Sequence, residues 1–335
     1  MSSPLRVAVV GVGHLGKIHA KIYAESPRAE LVAVVDSDPK RAAAVAEEYG
    51  CRVEKDWKEL PGQVDVVSVV VPTQHHASVA VELLEAGVAC LVEKPLASSV
   101  EEAQTILDAA ERSGANLTVG HVERFQPGVR RVREMGLRPR FIECHRLSAF
   151  SFRSTDIGVV HDLMIHDLDL ILDLVGSEVV ELDAVGGAIL TAREDIASVR
   201  LVFANGARAN VTASRASLAP MRRFRLFSPD SYVSLDFTKN YGLMVRKGEG
   251  WEDARERLQN CDPAELAQLT DSLTEDMMNV IELELQGEER PLQAELDSFL
   301  RAVAEGRPPE VTGLDGFRAL ELADRIRDAI AASRW

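Results

Sequence analysis

Leu5-Arg6-Val7-Ala8-Val9-Val10-Gly11-Val12-Gly13-His14-Leu15-Gly16 decides the fold of this chain. A short apolar strand runs straight into a G-x-G-x-x-G turn, and a helical pattern follows from Lys17 to Glu25. A second strand, Glu30-Leu31-Val32-Ala33-Val34-Val35, ends in Asp36, 20 residues after Gly16. In that setting each glycine has its own task. The first allows the tight turn, the second lets the backbone approach a pyrophosphate, and the third lets helix and strand pack closely. The helix start offers free N–H groups and the positive end of a dipole, so Gly11, Gly13, His14, Leu15 and Gly16 are candidate cofactor contacts. A carboxylate at Asp36 can bond both ribose hydroxyls of adenosine and repels a 2′-phosphate. The pattern therefore predicts NAD, with NADP the less favoured cofactor.

The alternation of strand and helix continues. Val64-Asp65-Val66-Val67-Ser68-Val69-Val70-Val71 reads as a buried parallel strand that stops at Pro72-Thr73-Gln74-His75-His76. A helix follows from Ala77 to Ala86, and Ala89-Cys90-Leu91-Val92 delivers Glu93-Lys94-Pro95 at its carboxyl end. Asn116-Leu117-Thr118-Val119-Gly120 is the last strand of the series. Open parallel sheets bind ligands beyond the carboxyl ends of their strands, which adds Thr73, His76, Glu93 and Lys94 to the cofactor contacts. His75 and His76 have no third ligand nearby, so no metal site is expected.

Composition narrows the class. At 335 residues the chain predicts two domains, a nucleotide-binding domain over 1–122 and a second domain over 123–335. No apolar run is long enough to span a bilayer, and the first residues carry no export signal. Cys51, Cys90, Cys144 and Cys261 form no Cys-x-x-Cys pair and read as reduced thiols of a cytoplasmic protein. A net charge of −15 argues against nucleic acid as a partner. From Arg124 to Arg153, however, eight arginines face two glutamates. That basic island suits an anionic substrate, with Arg124, Arg146 and Arg153 the candidate contacts and Arg130, Arg131 and Arg133 decorating a helix.

Beyond residue 140 the pattern becomes that of a large, mostly antiparallel sheet. Strand-like segments recur around 140–147, 181–190, 197–203, 207–215, 223–227, 232–237, 243–246 and 280–286, with Asn205-Gly206 as a hairpin signal. Residues 249–276 read as an acidic, turn-rich excursion, and 292–305 and 314–331 as closing amphipathic helices. The fold class is thus an α/β Rossmann domain, parallel and doubly wound, followed by an α+β domain. One broad sheet face invites self-association as a homodimer or homotetramer. Within this domain lies an oily helix with a polar stripe, His161-Asp162-Leu163-Met164-Ile165-His166-Asp167-Leu168-Asp169-Leu170. At 100° per residue Asp162, His166, Asp169 and Asp173 share one narrow face. A carboxylate and an imidazole one turn apart suggest acid–base chemistry.

These residues resemble the Gfo/Idh/MocA family of sugar oxidoreductases over nearly the whole chain. The resemblance rests on Gly11-Val12-Gly13-His14-Leu15-Gly16, Pro72-Thr73-Gln74-His75-His76, Glu93-Lys94-Pro95 and Asp162-Leu163-Met164-Ile165-His166. The family usually has Asn where this chain has Gln74, and a Gly-Gly pair where it has Gly158-Val159-Val160-His161. The resemblance implies that Lys94 bonds the hydroxyl being oxidised, that His166 is the general base oriented by Asp162, and that the Lys94-Pro95 bond is cis. Gly120-His121-Val122-Glu123-Arg124-Phe125-Gln126-Pro127 and His145-Arg146-Leu147-Ser148 are similar to a branch acting on nucleotide sugars. That branch includes bacterial enzymes oxidising the 3-hydroxyl of UDP-N-acetylglucosamine ahead of a transaminase in lipid A biosynthesis. It implies substrate contacts at Lys94, Arg124, Phe125, Arg146, Arg153 and His166. The residues alone establish an NAD-dependent dehydrogenase of a polyol or sugar. A free-sugar or inositol dehydrogenase, or a non-catalytic ligand sensor on the same fold, are the alternatives.

Overall fold

The computed structural model describes residues 3–151, 157–248, 250–260, 278–285 and 290–333. The chain divides into two compact units. The first takes in 1–126, 168–170 and 288–328, and the second 127–167, 171–287 and 329–335.

The first unit is built on six parallel strands: β1 (Leu5–Val10), β2 (Ala29–Val35), β3 (Arg52–Val53), β4 (Val66–Val69), β5 (Ala89–Val92) and β6 (Leu117–Val119). Their order is β3-β2-β1-β4-β5-β6, so the sheet reverses direction of growth between β1 and β4. That reversal is the topological switch point at which α/β sheets bind ligands. Helices α1 (His14–Glu25), α2 (Pro39–Tyr49), α3 (His76–Glu85) and α4 (Val100–Ser113) connect the strands. Strand β4 is buried along its whole length, as apolar runs covered on both faces require.

The second unit begins with α5 (Pro127–Glu134) and strand β7 (Phe141–Leu147). The polar-striped helix follows as α6 (Ile165–Val175), entered through a π-turn at Val160–Met164. Strands β8 (Val179–Gly187), β9 (Ile196–Phe203), β10 (Arg208–Ser214), β11 (Met221–Phe227), β12 (Ser231–Asp236), β13 (Tyr241–Lys247) and β14 (Met278–Glu284) complete a sheet of order β14-β13-β12-β11-β7-β10-β9-β8. Its ladders are antiparallel except where β10 runs parallel to β7. Gly206 turns the β9–β10 hairpin at φ +82°. Helix α7 (Trp251–Asn260) lies in the stretch expected to be turn-rich, and its helical form is a departure from that expectation. Most of the remainder of that stretch, with Cys261, lies outside the described residues.

Helices α8 (Pro291–Glu305) and α9 (Gly313–Ala332) close the chain. Sequence position assigned them to the second domain. Their apolar faces say otherwise for most of their length: Leu296, Phe299 and Leu300 join the core beneath α1, and Ala294 and Leu320, with Val311 between the two helices, join the core on the other side of the parallel sheet. Burial of an apolar stripe decides which unit a helix joins, and chain order does not record it.

Candidate active site

The turn from β1 into α1 is shaped by its glycines. Gly11 sits at φ +89°, and a Cβ there would meet the Val70 carbonyl oxygen at 2.6 Å. A Cβ on Gly16 would fall on the Gly11 carbonyl, whereas one on Gly13 would meet nothing within 4 Å. Gly13 is also the N-cap of α1, and no side chain caps the helix. An uncapped helix start beside open space fits a pyrophosphate. His14 and Leu15 are exposed on that first turn.

Asp36 ends β2 with its carboxylate nearly enclosed. Oδ2 accepts the Val12 N–H at 2.8 Å and Oδ1 the Asp38 N–H at 2.8 Å. Arg41, the next helix's exposed guanidinium, stands 3.3 Å from Oδ1. The same carboxylate therefore braces the glycine turn. The residues expected for a dinucleotide fit that group.

Thr73 lies in a short 3₁₀ turn after β4, half-buried. His76 opens helix α3. Its ring is buried, with Nε2 2.9 Å from the Val71 carbonyl and Nδ1 3.0 Å from the Pro95 carbonyl. Burial pushes its pKa down against those two acceptors. His76 thus braces the turn that carries Lys94, whose bond to Pro95 is cis. Lys94 is half-buried at the carboxyl end of β5.

Glu93 points back into the unit. Its Oε1 lies 3.2 Å from Nε2 of His19, and its Oε2 accepts the Lys94 N–H at 3.2 Å. A Cβ on Gly120 would come within 2.9 Å of this carboxylate, so that glycine makes its room. Burial alone would raise the Glu93 pKa; His19 and Lys94 outweigh it and hold it low. His121, just beyond β6, is buried, and burial pushes its pKa down. Glu295 on α8 is buried as well. Burial first, then the neighbouring Glu93, Asp169 and Glu123 carboxylates, raise its pKa well above the ordinary carboxyl range.

Two arginines expected to meet substrate are engaged by carboxylates. Arg124 grips Asp169 through Nε at 2.8 Å and Nη2 at 2.6 Å, with Asp315 3.4 Å away. In the second unit Arg146 grips Asp167 through both Nε and Nη2 at 2.7 Å. All four of these bidentate partners are buried. In each case the planar fork is matched to one carboxylate through Nε and Nη2. Phe125 is buried in the apolar core of the first unit. Arg153 lies outside the described residues.

The polar stripe is also revised. Asp162 lies in the π-turn, where the Ile165 N–H donates to the Val160 carbonyl, so the 100° spacing does not hold between Asp162 and His166. Asp169 serves Arg124, and Asp173 pairs with Arg133 at 3.1 Å. Asp162 and His166 are half-buried and partly open. π-turns inside helices are frequent at functional sites. Gly158 precedes this turn because Glu194 fills the space a Cβ would take. Arg215, which sequence reasoning passed over, donates to the Ile157 carbonyl at 2.6 Å and places its charge 4.0 Å from Asp162. Among the described residues no cluster of His, Cys, Asp or Glu could hold a metal ion, and no helix is long and apolar enough to cross a membrane.

Comparison with known proteins agrees with this architecture. Residues 5–121 match the profile of an oxidoreductase family with an NAD-binding Rossmann fold, and 130–229 match the GFO/IDH/MocA C-terminal domain. The chain is 38% identical to the UDP-N-acetylglucosamine 3-dehydrogenase of Acidithiobacillus ferrooxidans, over 98% of both chains. A solved structure of that enzyme superposes with a TM-score of 0.86 over 98% of each chain. The chain is also 27% identical, over 98% of both chains, to an inositol 2-dehydrogenase of Rhizobium meliloti.

Proposed function

Since the chain belongs to the Gfo/Idh/MocA family and is a nicotinamide-binding oxidoreductase, we propose that it oxidises the 3-hydroxyl of UDP-N-acetylglucosamine or a closely related nucleotide sugar, with NAD as oxidant. The observation that carries the substrate is the 38% identity to an enzyme of that name across both units. The inositol 2-dehydrogenase relative supports the second reading, oxidation of a free polyol.

NAD, when bound, supplies the hydride acceptor. Gly11, Gly13 and Gly16 with the uncapped start of α1 would hold its pyrophosphate, and Asp36 would take the adenosine ribose. Oxidation of a secondary alcohol removes a hydride from carbon and a proton from oxygen. Lys94 hydrogen-bonds that oxygen and stabilises the alkoxide charge as it develops. His166 takes the proton as general base, and Asp162 orients it. With Arg124, Arg146 and Phe125 engaged inside the protein, recognition of the diphosphate passes to other groups, Arg153 among them. The half-exposed sheet face lined by Glu143, His145, Ser198 and Thr212 supports pairing with a second copy. A cytoplasmic enzyme handing its 3-ketone to an aminotransferase, for lipid A, completes the reading.

The test is product identification. The protein is incubated with NAD and UDP-N-acetylglucosamine, the product is reduced with borodeuteride, and the deuterium is located by mass spectrometry and NMR. Label at C3 is expected. Label elsewhere, or none with that sugar and label in inositol, overturns the substrate.

A further inference from the structure

Helix α1 does more than start at the pyrophosphate site. One and two turns further on, His19 and Tyr23 lie on its buried face, four residues apart, and both are fully enclosed. Ser68, a lone hydroxyl in the apolar strand β4, lies between them. Its Oγ is 2.7 Å from the Tyr23 hydroxyl and 3.2 Å from Nδ1 of His19. Nε2 of His19 stands 3.2 Å from Glu93, whose carboxylate accepts the backbone N–H of Lys94. We propose that Tyr23, Ser68 and His19 form a buried bridge of positioning residues that holds Glu93 as an anion beside Lys94 and so keeps the lysine in its ammonium form.

The bridge is built to hold through a change of charge. A hydroxyl both donates and accepts. With His19 neutral, Tyr23 donates to Ser68 and Ser68 donates to Nδ1. With His19 charged, Nδ1 donates to Ser68 and Ser68 turns its proton towards Tyr23. In both cases an N–H at Nε2 lies 3.2 Å from Oε1 of Glu93. A buried carboxylate without such a partner takes up a proton instead. The charged and titratable groups around Glu93 are His19 and Tyr23 from α1, His76 at the start of α3, Lys94 from its own turn, His121 beyond β6, and Glu295 on α8. Of these, His19 and Lys94 are the groups that hold the Glu93 pKa low. Apolar strands seldom carry a buried serine without a partner that needs it, and here both of its neighbours come from the helix whose first turn receives the cofactor.

This inference rests on the reading of Lys94 given above, and the test separates the two. The reactivity of Lys94 towards an amine-directed acylating reagent is followed by mass spectrometry against pH, in the protein without substrate, for wild type, His19→Leu, His19→Gln and Ser68→Ala. In His19→Leu, Glu93 takes up a proton and Lys94 loses its anionic neighbour. Its midpoint falls by about one pH unit, so labelling well below the midpoint is roughly tenfold faster. His19→Gln restores an N–H donor and recovers part of the shift. Ser68→Ala deletes one hydroxyl and moves the midpoint the same way by less, which keeps the test available if His19→Leu does not fold. A bridge that serves stability alone lowers the melting temperature and leaves the Lys94 profile unmoved in every folded variant, and that result overturns the proposal. If the profile moves while the wild type oxidises no sugar or polyol, the bridge stands and the assigned function falls.

Discussion

Arg146→Met separates a structural arginine from a substrate contact. In the folded protein Arg146 is 8% exposed and Asp167 2%, and two bonds of 2.7 Å join them. Methionine fills most of the arginine stem but leaves the buried Asp167 carboxyl without its cation. Breaking one side of a buried ion pair costs about 3–5 kcal/mol. For a unit of this size each kcal/mol lowers the melting temperature by about 2–4 °C, so a fall of roughly 10 °C is expected. The double variant Arg146→Met/Asp167→Leu removes the unpartnered carboxyl and regains most of the loss. Thermal melts of the three proteins at pH 7, with the KM of each for the nucleotide sugar, decide the matter. A melting temperature within about 2 °C of wild type, together with a sharply raised KM, refutes the reasoning and returns Arg146 to the substrate.

Other expectations follow from the same contacts. Lys94→Ala lowers kcat by roughly two to three orders of magnitude, the scale of a lost charge-stabilising donor, while NADH fluorescence titration gives an unchanged Kd. Asp36→Ala weakens NAD binding and relaxes discrimination against NADP, because Arg41, 3.3 Å from the lost carboxylate, becomes available to a 2′-phosphate; the ratio of kcat/KM values for the two cofactors measures it. Glu295→Gln changes the pH dependence of stability. The folded protein holds the Glu295 proton above the pH at which the unfolded chain releases it, so that contribution is present in acid and is lost as pH rises through the folded value. Glutamine has no such proton, so the variant and wild type melt alike near about pH 4 and the variant falls off less towards alkaline pH; parallel profiles contradict a raised Glu295 pKa.

Local signals carried the fold well where the physics was local. The run from Leu5 to Gly16, with Asp36 beyond it, describes contacts that form within one βαβ unit, and the glycine geometry follows from that turn alone. The Asn205-Gly206 hairpin and the strands around it were legible for the same reason. What the sequence did not disclose depends on partners far along the chain. Nothing near Arg124 announces Asp169, and nothing near α8 announces that its apolar stripe packs beneath α1. The π-turn at Val160–Met164 escaped because hydrophobic periodicity assumes an α-helix throughout. The bridge to Glu93 left a faint trace: a serine inside Val66–Val69, and a histidine and tyrosine four apart on the oily side of a helix. Each is an ordinary residue alone, and only their proximity makes them a unit.

The most direct measurement is the rate of NADH formation with NAD and equal concentrations of UDP-N-acetylglucosamine, free N-acetylglucosamine and myo-inositol, with a keto-sugar aminotransferase present to draw the equilibrium. NADH formed with the nucleotide sugar, at a kcat/KM far above the other two, is the expected result. NADH formed with myo-inositol or the free sugar, and none with UDP-N-acetylglucosamine, contradicts the account.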